Sequence, residues 1–182
     1  MFNWFSQSQG QNKLSRSMLR QIQSEFKEMM NHINAAMKHG LENNPLGLEP
    51  IDARKIYRKI DLELQTAQYH FKNVMDIWPR GKPVFNELYK FFDYYKQFND
   101  NLWQWSELVH LPDFDIYKSS DRSKYHHYVA RNRKLGDKLD SQYIKANSRL
   151  KELTGIELLP LYEEPFIFFP RFHESLNFIL LP

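Results

Sequence analysis

The stretch from Val84 to Val109 constrains the rest of the chain more than any other. Apolar residues recur there at Val84, Leu88, Phe91, Tyr95, Phe98, Leu102, Trp105 and Val109. Steps of three and four place these side chains on one face of an α-helix. Phe85, Phe92 and Trp103 widen the stripe, while Asn86, Asp93, Gln97, Asp100 and Gln104 fall opposite. A helix of about 26 residues is roughly 39 Å long. Its apolar face needs partners along that whole length, so the neighbouring helices must be long as well.

The same spacing recurs three more times. Leu19, Ile22, Phe26, Met29, Ile33 and Met37 predict a first helix over Ser15 to His39, with Gly40 placed as its left-handed C-terminal cap. Pro50 and Asp52 open a second helix whose stripe is Ala53, Tyr57, Ile60, Leu64, Ala67, Phe71, Val74 and Trp78. Proline is tolerated in a first turn, and aspartate complements the helix dipole there. Pro79 stops this helix, and the short link PRGKP makes the next one its antiparallel neighbour.

A fourth helix is expected from about Asp121 to Thr154, capped by Ser119 or Ser120 and closed by Gly155. Its inner side (Tyr125, Tyr128, Asn132, Leu135, Leu139, Tyr143, Ala146, Leu150 and Leu153) is poorer than the others, and Gly136 predicts a bend or a close crossing.

The expected fold is thus all-α: an up-down four-helix bundle of long helices in a single domain, 1–182. Residues 1–14 form an N-terminal arm. Residues 156–182, with four Pro among many Phe, Leu and Ile, form an extended segment packed on the bundle. Fourteen Phe, ten Tyr and four Trp supply its core.

Composition removes several function classes. With no cysteine there are no disulfides, thiolate metal sites or cysteine nucleophiles, and a reducing, cytoplasmic setting fits. No apolar run is long enough to span a bilayer. The start, MFNWFSQSQGQNK, lacks the pattern of a signal peptide, and Phe2, Trp4 and Phe5 are expected to pack on the chain's own core, with contact to a membrane interface as the alternative. A di-iron bundle needs Glu-x-x-His on two helices, and only Glu107-x-x-His110 has that spacing. Glu28 and His32 are four apart, and His126 and His127 are adjacent and diverge on a helix, so no metal is expected. Glycines are isolated, no phosphate-binding loop occurs, and no cofactor is expected.

Two features carry functional content. The first is a line of cations on the fourth helix: Lys124, Arg131, Lys134, Lys138, Lys145 and Arg149. They share one flank, about a quarter turn from the inner side, and extend over roughly 37 Å. Only Glu87 on the third helix and Glu25 on the first fall on flanks that could face them. Such a row can follow a nucleic-acid backbone or an acidic protein groove.

The second is Arg122-Ser123-Lys124-Tyr125-His126-His127-Tyr128. It resembles the Arg-x(4–6)-His motif of the HEPN family, helical-bundle proteins many of which are metal-independent ribonucleases. The resemblance implies that Arg122 and His127 of two protomers converge on one scissile phosphate. Arginine offsets phosphate charge and histidine transfers protons near neutral pH. The match covers seven residues, and Ser123 stands where the family usually has a residue such as Asn.

The leading expectation is a non-enzymatic binding or assembly module that engages an acidic partner, protein or nucleic acid, through the fourth helix. A protein partner is also expected at the C-terminal aromatic segment. The alternative is a HEPN-like ribonuclease acting as a homodimer. A third reading is a regulatory or inhibitor protein built on a rigid spacer.

Overall fold

The computed structural model describes residues 14–43, 48 and 50–161. It contains four helices, α1 (Arg16–Asn43), α2 (Pro50–Ile77), α3 (Lys82–Val109) and α4 (Ser119–Thr154). There is no strand among the described residues, and the helices pack as a bundle. Each pairs antiparallel with the next. On α1 and α2, Glu25 meets His70 while His32 meets Glu63. Between α2 and α3, Asn99 meets Asp61 while Phe71 meets Phe85. Between α3 and α4, Trp105 meets Tyr125 while Tyr94 meets Lys138.

The apolar rows read from the sequence form the core. All eight residues of the second stripe are buried, as are Ile22, Phe26, Met29, Ile33 and Met37 of α1. Leu139 and Leu150 of α4 are fully enclosed. Burying one such side chain stabilises the fold by roughly 1.5–3 kcal/mol. The α2–α3 junction is built from rings. Phe71 packs against Phe85, Tyr89 and Phe92, and Trp78 against Phe85.

Three local expectations need correction. Gly40 does not end α1, which continues to Asn43. A Cβ built on Gly40 meets only Ile60 Cδ1, at 3.7 Å, so nothing there requires glycine. Gly40→Ala should therefore raise stability by about 0.5–1 kcal/mol, read as a higher urea midpoint. Neither Ser119 nor Ser120 caps α4, because the helix already begins at Ser119. Its N-cap is Lys118, which makes no side-chain capping bond. Leu153, expected inside, is 51% exposed. Gly155 closes α4 as expected, in the left-handed conformation at φ 75°, and Gly136 lies buried within the helix.

That cap turns the chain back along α4. Asn147 Oδ1 accepts from the Leu158 amide at 2.8 Å, and the Tyr143 hydroxyl donates to the Leu159 carbonyl at 2.8 Å. Asn34 of α1 donates to the Pro160 carbonyl. Ile156 and Leu158 enter the core, while Leu153 stays outside it. The N-terminal arm 1–13, with Phe2, Trp4 and Phe5, and the aromatic segment 162–182 lie outside the described residues.

Polar groups also reach the interior. Asn101 Nδ2 donates to Asn132 Oδ1 at 2.6 Å and to the Tyr128 carbonyl at 3.1 Å, and both asparagines are buried. The bond between the two amides forms in one alignment of the helices only, which favours this register of α3 on α4, although Asn101 Oδ1 and Asn132 Nδ2 are buried without a partner among the described residues.

Candidate functional site

The cationic row lies on α4 as its spacing requires. At about 100° per residue, Lys124, Arg131, Lys134, Lys138, Lys145 and Arg149 fall within an arc of roughly 80°. The buried row Asn132, Leu135, Leu139, Ala146 and Leu150 lies about a quarter turn away. Five of the six cations are exposed, and Lys138 is half-buried.

Their surroundings differ. Lys124 approaches Asp121 one turn earlier, at 3.7 Å. Lys138 lays its ammonium over the Tyr94 ring of α3, 4.6 Å from the centroid. This contact turns Lys138 toward α3, where Tyr94 is half-buried. Arg131, Lys134, Lys145 and Arg149 have no hydrogen bond or ion pair with the described residues. The two expected counter-charges are engaged elsewhere. Glu87 approaches Lys90 at 3.5 Å, and Glu25 accepts from His70 and Asn73.

Arg122 and His127 are both exposed on the first turns of α4. Five residues apart, they point about 140° away from each other. One copy of the chain does not bring them together. No three His, Cys, Asp or Glu side chains among the described residues are placed to hold a metal ion. No described helix is long and apolar enough to cross a membrane.

Two further polar clusters bridge helices. One is a seam between α1 and α2. His32 Nδ1 lies 2.6 Å from Glu63 Oε2, and His39 Nε2 lies 4.0 Å from the other oxygen of Glu63. Glu25 Oε2 accepts from His70 at 2.8 Å and from Asn73 at 3.0 Å. The His32 and His70 rings stack at 5.6 Å. Burial raises the Glu25 carboxyl, but the His70 and Asn73 hydrogen bonds and the His70 charge outweigh it, so the carboxyl sits below its ordinary 4.5.

A lowered acid adds stability above its unfolded value and loses it as pH falls through its folded one. Glu25→Gln should therefore cost about 0.2–1 kcal/mol at neutral pH, the scale of a partly exposed pair. Thermal melts of the two proteins should converge as pH drops below 4.5.

The other cluster is a cleft of about 240 Å³ between α2 and α3. Arg54, Arg58 and Asp61 of α2 face Asn99, Asp100 and Trp103 of α3 across it. Arg54 lies over the Trp103 ring at 5.2 Å, and the Tyr57 ring meets the same indole edge-on. Asn99 Nδ2 donates to Asp61 Oδ1 at 2.8 Å. Burial raises the Asp61 carboxyl and the Asp100 charge adds to that, against the Asn99 bond and Lys96.

Neither cluster was visible in the sequence. Arg54, Arg58 and Asp61 share a helical face, a recognisable spacing, but their α3 partners depend on register between helices. The chain matches no family model, no curated protein and no solved structure.

Proposed function

We propose that this chain is a non-enzymatic binding or assembly module whose α4 flank engages an acidic partner, nucleic acid or protein, in the cytoplasm. The observation that carries this reading is the row Arg131, Lys134, Lys145 and Arg149, exposed and without a counter-charge among the described residues. Four cations in one row spread over roughly 27 Å would suit a partner whose own charges repeat along a line. The fold taken with it is an up-down bundle of four long helices. The Phe-rich part of the C-terminal segment offers a second docking element for a protein.

The test is a titration of single-stranded RNA, duplex DNA, an acidic peptide and a heparin control across salt. Binding should weaken as salt rises, with a log–log slope on nucleic acid no steeper than about −4. Arg131→Gln and Lys145→Gln should each reduce that slope by about one, while the helical signal is unchanged. Association indifferent to salt, or none, would remove this reading. Cleavage of the RNA in the presence of a chelator, lost in Arg122→Ala and His127→Ala, would instead support the HEPN-like ribonuclease.

A further inference from the structure

The α2–α3 cleft holds four charged side chains of both signs, Arg54, Arg58, Asp61 and Asp100. None forms an ion pair within 4.0 Å with another of the four or with any other described residue. Opposite charges facing one small space without meeting leave both signs available to a third body. A plain anion would be drawn by two guanidiniums but repelled by two carboxylates. A plain cation would meet the reverse. A molecule carrying both signs a few ångströms apart satisfies every wall at once.

The volume narrows the class. At about 240 Å³ the cleft lies below the roughly 300–1,000 Å³ typical of drug-sized pockets. The remaining wall is aromatic, with Trp103 under the Arg54 guanidinium and the buried Tyr57 ring perpendicular to it. Asp61 is held in place by Asn99, itself buried and fixed on α3.

We propose that this cleft is a binding site for a small zwitterion of the free α-amino-acid class. Its carboxylate lies between Arg54 and Arg58, its ammonium lies on Asp61 and Asp100, and its side chain rests against Trp103. The inference stands apart from the α4 reading and shares none of its residues.

The experiment is saturation-transfer NMR and calorimetric titration of the full chain with a panel of free L-α-amino acids. The N-acetyl and C-amide forms of each hit are run beside it. At least one free amino acid should bind with millimolar or tighter affinity. Blocking either end should weaken it by about tenfold or more, the scale of one lost charge-assisted hydrogen bond. Asp61→Asn should then stop distinguishing the free from the N-acetyl form, and Arg58→Gln the free from the amide form.

No binding across the panel would overturn the proposal, as would capped forms that bind as well as free ones. So would variants that keep both discriminations. Should Asp61→Asn fail to fold, the exposed Arg58→Gln and the capped ligands on the unaltered protein still decide.

Discussion

Phe71→Ala is expected to lower the unfolding free energy by about 3–5 kcal/mol. Phe71 is 2% exposed and touches three rings of α3, with centroids 5.1–5.7 Å away: Phe85, Tyr89 and Phe92. Each aromatic pair contributes about 0.5–1.5 kcal/mol beyond the area it buries. The site cannot close over the gap easily, because Phe85 and Phe92 are themselves held by Trp78 and Phe91.

The position also matters for architecture. The α1–α2 and α3–α4 pairs are each closely packed, while α2 and α3 meet mainly through Phe71, Trp78 and the Tyr57–Trp103 contact. Losing the central ring should weaken the joint between the two helical hairpins. Urea unfolding should show a lower midpoint with an unchanged slope if the four helices still melt together. A change below about 1 kcal/mol would mean that this junction does not hold the halves together.

Much of this was legible because an apolar row on a helix must be buried against something, whatever that something is. Ala53 through Val74 on α2, and Trp78 just past its end, could be read residue by residue for that reason, and so could the stop before Pro79 and the cap at Gly155. Positions where two outcomes cost nearly the same were harder. Gly40 ends a helix or lies within one at a cost of about 1 kcal/mol, and three further residues of α1 tipped the balance. Leu153 is exposed while Ile156 and Leu158 are buried, on a segment that returns along α4 after a turn that periodicity does not encode.

Polar contacts between helices were hidden for a different reason. Asn99 looks like an outward amide until Asp61 stands opposite it, and Glu25 looks like a spare acid until His70 and Asn73 close on it. The arc of cations on α4 belongs to one helix, so its angular spread followed from spacing alone. That Lys138 lies on Tyr94, while Lys134 and Lys145 have no such neighbour among the described residues, needed α3 in place.

Gly81→Ala should destabilise by about 1–3 kcal/mol, and for a reason of space rather than backbone. Gly81 precedes α3 with φ −73° and ψ 14°, a conformation open to any residue. An added Cβ, however, would lie 2.5 Å from Phe85 Cζ and 2.7 Å from Trp78 Cε3. Both rings are buried and meet edge-to-face at 5.7 Å, so neither swings into solvent without opening the junction around Phe71. The methyl must therefore push Phe85 into the cluster or lift the start of α3 away from the end of α2.

The prediction has an internal control. Adding the same methyl at Gly40, where the nearest atom is 3.7 Å away, should act in the opposite direction. It also has a suppressor. Phe85→Leu shortens the side chain that blocks the methyl, so the double variant should lose less than the sum of the two singles. Strict additivity in urea midpoints would show that the Phe85 ring is not what excludes a side chain from position 81.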